Sequence, residues 1–251
     1  MRIVSLAPSN TEILYAMGAE KEIVGVTRFC DYPDGARDKV RVGGWLDLDY
    51  RKIQELKPDL AITSSFVQEK VVERLAELGI EILHVDPVAL EEVYESILDI
   101  GRVVEKEENA YGLVGSMRER VGEISKKSRD LGYGPRVYAE EWHEPPTVCG
   151  NWIPELIELA GGVSLGKKGM HSYGIRTSEV VEFDPDFMVV SWCGFGKNVN
   201  VEWIRKRKGW EEINAVKNGK IYVFDDSLLN RPGPRLVEGL ELLVDIGKRL
   251  G

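Results

Sequence analysis

The sequence predicts an α/β protein of two similar lobes, each built on a central, mainly parallel sheet, joined by a long rigid helix with a ligand cleft between the lobes. Three observations carry this expectation. Short Ile- and Val-rich runs alternate with helical patterns, the mark of parallel strands linked by helices. The alternation occurs twice, in the same order, in the two halves of the chain. Between the halves lies a stretch without strand character.

In chain order, "RIVSLA", "EIVGVT", "LAITSS" and "EILHVD" read as the first-lobe strands, with "NTEILYAMGA", "DYRKIQELK" and "EKVVERLAELG" as helices between them. "NTEILYAMGA" carries an Asn or Thr start signal, an early Glu and a Gly stop. The second half answers with "PELIELAGG" for "TEILYAMGA", "DPDFMVVSW" for "KPDLAITSS", "KIYVFDD" for "EILHVDP" and "VDIGK" for "LDIGR", at offsets of 143, 127, 139 and 146 residues. Four matches in the same order point to two lobes of one architecture. The middle stretch places Ile97, Ile100, Val103, Val104, Leu113, Met117, Val121 and Ile124 at helical spacing. It predicts one or two long helices broken near Glu107–Asn109, with "EKEE" at 105–108 as a solvated break. Gly132, Gly134 and Pro135 then end the helix. The expected divisions are a lobe over 1–100, a connecting helix over 101–134 and a second lobe over 135–251.

Composition narrows the function. The chain has 251 residues, is 43% hydrophobic and carries a net charge of −9, enough for two cores and the wrong sign for nonspecific nucleic-acid or anionic-membrane binding. No apolar run is long enough to span a bilayer, which excludes direct membrane insertion. The three cysteines, Cys30, Cys149 and Cys193, form neither a disulfide framework nor a CxxC zinc site. "MRIVSLAPSN" opens directly as a strand without an export signal. The expectation is a cytoplasmic protein as encoded; a chain trimmed at a signal peptide would read the same and be extracytoplasmic.

Ligands of open α/β lobes bind outside the carboxyl ends of the strands. The loops expected there are rich in aromatic residues: Phe29, Tyr32, Trp45 and Phe66 in the first lobe, and Trp142, Trp152, Tyr173, Trp192 and Phe195 in the second. The stretch "AEEWHEPPTVCGNWIPEL", residues 139–156, reads as a loop forming one wall of a cleft that grips something large and partly flat.

These motifs resemble a known family. "RIVSLAPSNTEILYAMGA", "GVTRFCDYP" and "VGGWLDLDYRKIQELKPDLAI" are similar to the first lobe of the substrate-binding proteins of cobalamin and iron–siderophore ABC importers, whose lobes are joined by a rigid helix. "EEWHEPPTVCGNWIPELIELAGG", "GMHSYGI", "SWCGFG" and "NRPGPRLVEGLELL" resemble a cobalamin-binding branch often encoded without an export signal. The resemblance covers nearly the whole chain. It implies non-catalytic binding of a corrinoid, as an importer component or an internal carrier, with an iron–siderophore or haem ligand as the alternative and a corrinoid-modifying enzyme as a lesser one. No cofactor is required; the corrinoid or metal chelate is the ligand. The partners are that small molecule and an ABC permease, and the expected state is a monomer. Phe29 and Trp45 look like the aromatics that flank cobalamin in the first lobe, with Trp192, Asn230 and Arg231 opposite them. Glu69 matches the surface glutamate that docks on the permease. In the second lobe Ser178 falls at the corresponding place, with Glu179 beside it.

Each residue also has a plainer reading. Trp45, Trp142 and Trp152 are either ligand walls or packed loop residues, and Trp152 either lines a site or staples the helix after it. His171 is either an exposed loop histidine or, as a neutral imidazole, a ligand to cobalt or iron. Cys149 and Cys193 read as small buried apolar residues more readily than as ligands, and His84 as structural. Arg231, just before a helix, contacts either a ligand anion or a nearby acid. Glu140, Glu141, His143 and Asp31 are the residues from which an acid/base group could be assembled, but no GxSxG, P-loop, HExxH or kinase motif accompanies them.

Overall fold

The structure, a computed structural model, describes residues 1–129, 132 and 134–250. Positions 130, 131 and 133, at the end of the expected connecting segment, and the final Gly251 lie outside the described residues. The chain divides into two compact units, Met1–Pro87 with Glu91–Ser116, and Val88–Leu90 with Met117–Gly251. None of the helices among the described residues is long and apolar enough to cross a membrane.

Unit 1 alternates β1 (Ile3–Ser5), α1 (Pro8–Ala16), β2 (Ile23–Val26), α2 (Tyr50–Glu55), β3 (Leu60–Ser64), α3 (Glu69–Glu77) and β4 (Glu81–Val85), followed by α4 (Leu90–Val103). Its sheet is parallel throughout, in the order β2-β1-β3-β4. Strands β1 and β3 are buried along their whole length, as expected where helices cover both faces of a sheet. Val4, Leu6, Ile53, Ala61, Val71 and Leu75 form the core beneath them. Helix α5 (Glu107–Arg129) follows α4. The break falls at 104–106, just before the expected place, where Glu105 takes a left-handed φ of 58°, a conformation that ends a helix. The boundary between the two compact units lies within α5, after Ser116.

Unit 2 continues with β5 (Arg136–His143), β6 (Pro146–Val148), α6 (Ile153–Leu159), β7 (Val163–Ser164), β8 (Tyr173–Gly174), α7 (Thr177–Phe183), β9 (Phe187–Val190), α8 (Glu202–Arg205), α9 (Asn214–Lys217), β10 (Ile221–Val223) and α10 (Leu236–Leu250). Its parallel part runs β7-β5-β9-β10. Matched strand for strand, this is the order of unit 1. Strands β6 and β8 extend the sheet antiparallel beyond the distal half of β5.

The repeat extends to individual hydrogen bonds. In unit 1 the amide of Arg2 donates to Asp59 Oδ2 at 2.7 Å, and Asp59 N donates back to the Arg2 carbonyl at 2.8 Å. In unit 2 Arg136 and Asp186 make the same two bonds at 2.7 and 2.8 Å. Each arginine side chain also donates to the carboxyl end of the preceding helix region, Arg2 Nε to Leu56 O and Arg136 Nη1 to Phe183 O. The turn that makes this possible has a left-handed residue two positions before the aspartate in both units, Lys57 (φ 47°) and Asp184 (φ 46°). Helix α1 closes with Ala19 N donating to Leu14 O, and α6 with Gly162 N donating to Ile157 O, around Gly18 and Gly161.

Between these fixed points the units differ in length. Relative to unit 1, unit 2 is longer between β5 and α6 and between β9 and β10; unit 1 is longer between β2 and α2.

The Arg136–Asp186 pair is the more buried of the two. Asp186→Ala strands the Arg136 amide and is expected to cost about 1–3 kcal/mol, and Asp59→Ala less. Urea unfolding of the two variants checks the order.

Candidate functional site

In unit 1 the strand order reverses between β1 and β3, the kind of point where open α/β sheets take their ligands, outside the carboxyl ends of the strands. Gln68, fully buried, organises that end. Its Oε1 accepts from Ser64 N at 2.7 Å, and its Nε2 donates to Leu6 O at 3.0 Å and Trp45 O at 2.8 Å. One amide thus ties the ends of β3 and β1 to the Trp45 segment. Sequence reasoning missed it because a glutamine before a helix carries no signal of what its side chain reaches.

The Trp45 segment folds tightly. Gly43 has a φ of 110°, and a Cβ there would sit 2.5 Å from the Asp47 carbonyl; one on Gly44 would collide with the Asp47 carboxylate and the Arg28 guanidinium. Gly43 is therefore required by the turn, while Gly44 makes room for the Arg28–Asp47 pair. Arg28 pairs with Asp47 at 2.6 Å and lies 5.4 Å over the Phe29 ring. The hydrogen bond from Arg28 holds the exposed Asp47 carboxyl below its usual range. Trp45 is half-buried, and its indole N–H is buried with no protein acceptor. Phe29, Tyr32 and Phe66 stand 45%, 46% and 48% exposed. These aromatic side chains present exposed apolar surface after the carboxyl ends of the strands of one sheet.

In unit 2 the stretch expected as a loop is a hairpin. Strand β5 continues past its pairing with β9, which ends at Glu140↔Val190, and turns at Glu144-Pro145 into β6, with His143 opposite Pro146. A register shift between Glu140 and Trp142 re-aims the strand's tip. The tip meets the segment after β9 in an aromatic cluster. His143 lies 5.0 Å from Trp142, 4.8 Å from Trp192, 6.1 Å from Phe195 and 5.4 Å from Trp203, and Trp192 stacks on Trp203 at 5.8 Å and 26°. Trp142 and Trp203 carry the open faces. Trp203 was not singled out in the sequence, where it sits inside the basic run "EWIRKRK".

Two expected wall residues prove to be core residues. Trp192 is fully buried, with Nε1 donating to Glu140 Oε1 at 2.9 Å. Trp152 is also buried, and its Nε1 donates to Leu229 O at 2.7 Å, stapling the start of α6 to the segment before Asn230. Neither offers a ring face to a ligand. Glu140 is fully buried and accepts from Tyr138 Oη at 2.7 Å, from Trp192 and, twice, from Arg207. Burial first, and then the Glu140 charge, push the Tyr138 hydroxyl well above its ordinary range. All of Glu140's acceptor capacity is thus committed to structure.

A second polar cluster joins Glu141, Ser172, Cys193 and Asn230. Ser172 Oγ and Cys193 Sγ donate to Glu141, and Asn230 Nδ2 donates to Ser191 O at 2.6 Å and to Cys193 Sγ at 3.2 Å. Nearby, burial works to raise the Asp225 carboxyl, but hydrogen bonds from Ser227 and the charges of Arg235 and Arg231 hold it below its usual value. His171 lies on the segment that packs against Gly150 and Asn151, where Asn151 N donates to Met170 O. Among the described residues no group of three or more His, Cys, Asp or Glu side chains is placed to hold a metal ion. His84 stands in β4 with Nδ1 2.9 Å from Thr63 Oγ1.

Burial pushes all three thiols up, Cys149 and Cys193 farthest, with the Glu141 charge adding to both. A raised thiol stays protonated at neutral pH and is a poor nucleophile there. Iodoacetamide at pH 8 is expected to leave all three cysteines of the native protein unlabelled and to label all three in denaturant; rapid labelling of Cys193 in the native state would contradict the environment described.

Residues 3–228 match the family described as periplasmic binding protein. The chain is 32% identical over 253 residues to YvrC of Bacillus subtilis, an uncharacterized ABC transporter substrate-binding lipoprotein, covering 97% of this chain and 79% of that one. It is 26% identical to a vitamin B12-binding protein of Vibrio cholerae, over 96% of this chain and 86% of the other. A solved structure of a possible iron-binding, periplasmic solute-binding protein from Staphylococcus epidermidis superposes with a TM-score of 0.83 at 30% identity, covering 98% and 97% of the two chains. With the two-unit α/β fold and its repeated strand order, these likenesses place the chain in the periplasmic binding protein family, among the non-catalytic substrate-binding proteins of ABC transporters.

Proposed function

We propose that the protein binds a corrinoid, a flat cobalt macrocycle of the cobalamin kind, and delivers it to an ABC permease. The observation that carries this reading is the set of exposed and half-buried aromatic rings at the carboxyl ends of both sheets. Unit 1 offers Phe29, Tyr32, Trp45 and Phe66; unit 2 offers Trp142, Phe195 and Trp203. Covering a large ring face at roughly 25 cal/mol per Å² supplies several kcal/mol without any bond from protein to metal. The likeness to the Vibrio cholerae vitamin B12-binding protein over nearly the whole chain supports the same ligand. An iron chelate is the second reading, favoured by the Staphylococcus epidermidis structure.

For docking on a permease, Glu69 opens α3 and is exposed. Glu179 is engaged locally: its carboxylate caps α7 by accepting from Arg176 N at 3.1 Å and pairs with the Arg176 side chain at 2.9 Å. The repeat offers another partner for Glu69. The first helix after β3 is α3, opened by Glu69, and the first helix after β9 is α8, opened by Glu202, which like Glu179 has a local partner, Arg205 at 3.0 Å, so the choice rests on position in the repeat alone. The docking pair in this reading is Glu69 with Glu202.

The test is gel filtration of the protein after exposure to cobalamin, followed by a visible spectrum. Retained colour at near one-to-one stoichiometry is expected, and colour eluting apart from the protein would contradict the corrinoid. Aromatic walls alone leave the bands as in free cobalamin. A band shift abolished in His171→Ala would instead assign His171 as an axial ligand.

A further inference from the structure

The charge buried beneath the aromatic cluster is not a demand of the fold. In the repeat Glu140 occupies the place of Leu6: Ala139 pairs with Val189 as Ser5 pairs with Ile62, and the next residue is Glu140 in one unit and Leu6 in the other. Both side chains are fully buried. The same backbone thus accepts an apolar residue here. A buried ion pair also adds little net stability over an apolar pair of similar volume, so stability alone does not account for a carboxylate at this point.

Its surroundings show what the charge holds. Arg207 places its fork on Glu140, with Nη2 at 2.9 Å from Oε1, donates also to the His143 carbonyl at 2.8 Å, and lies 4.5 Å over the Trp210 ring. Its guanidinium is thus fixed in its plane by hydrogen bonds and across its face by an indole. Glu140 in turn takes the N–H of Trp192, and Trp192 is stacked on the half-exposed Trp203. The pair therefore bridges the two segments by which unit 2 exceeds unit 1, the β5–β6 hairpin and the stretch from 191 to 213, and these segments carry Trp142, His143, Phe195 and Trp203.

We infer that Glu140 and Arg207 are positioning residues for ligand binding. Their ion pair sets the pose of Trp192, and through it the open face of Trp203, while anchoring the hairpin tip at the His143 carbonyl. Neither touches the ligand. The inference rests on the reading of Trp142 and Trp203 as a ligand wall, but half of its test does not.

Stacked indoles give an exciton couplet in far-ultraviolet circular dichroism, which reports ring pose without any ligand. Trp203→Phe assigns the couplet by removing it. The double variant Glu140→Leu/Arg207→Met leaves the Tyr138 hydroxyl and the Trp192 N–H without their acceptor and is expected to be less stable yet still to unfold cooperatively, with the couplet reduced by more than half and cobalamin affinity lowered about tenfold by calorimetry. Arg207→Lys keeps the charge but loses the fork, and is expected to show a smaller loss of both signals. It serves as the deciding variant if the double variant fails to fold. A folded variant that keeps the wild-type couplet and affinity would overturn the proposal. If the wild-type protein retains no cobalamin, the functional reading fails, and the couplet alone decides whether the pair positions the stack.

Discussion

The register between β1 and β3 in unit 1, and between β5 and β9 in unit 2, governs everything built on top of them. An arginine at the start of one strand and an aspartate at the start of its partner exchange two hydrogen bonds, Arg2 with Asp59 and Arg136 with Asp186. With the amino ends pinned, the carboxyl ends of the same two strands are brought level. The strand order reverses between these strands in both units. A parallel sheet leaves an open crevice at such a point, so the pinning that aligns the strands also fixes where a ligand can bind. Four of the bonds lie between 2.7 and 2.8 Å, and the paired arginine side chains reach the carbonyls of the preceding helix in both copies.

On this common frame the units differ in the segments that carry most of the exposed aromatic residues. Unit 1 spends its extra length between β2 and α2, where Arg28, Phe29, Tyr32 and Trp45 fall, and secures it with Gln68 and the Gly43-Gly44 turn. Unit 2 spends its own after β5 and after β9, and secures it with Glu140 and Arg207. One fastener is a neutral amide reaching backbone groups; the other is an ion pair reaching indoles. Both lie beneath exposed aromatic side chains rather than among them, an arrangement that would keep the proposed binding surface rigid and its entropy loss small when it is covered.

Much of this was legible in the sequence, for physical reasons that differ by element. The strands were visible because buried parallel strands are continuous apolar runs, and the two-unit plan because helix ends and strand starts reuse the same turn chemistry. Phe29, Tyr32 and Phe66 fall on exposed strand ends because turn residues delimit them. The hairpin tip reads as part of a loop over 139–156 because its polar residues alternate with buried ones only once the tertiary partners are known: Glu140 looks solvent-facing until Arg207, 67 residues on, is brought to it. Trp192 looked like a wall for the same reason, since its acceptor comes from another strand. Trp203 was missed because a tryptophan in a basic run has no periodic signal, and only its stack on Trp192 reveals where it belongs.

The central claim is that the open aromatic rings on these insertions, rather than a metal-binding side chain, hold a flat ligand. Calorimetry of cobalamin binding to Trp45→Ala, Trp203→Ala and the control Tyr111→Ala tests this, since Tyr111 is an aromatic on helix α5 that is more exposed than either tryptophan. The account predicts a loss of roughly 1–3 kcal/mol in each tryptophan variant and none in the tyrosine variant. Unchanged affinity in both tryptophan variants would contradict it.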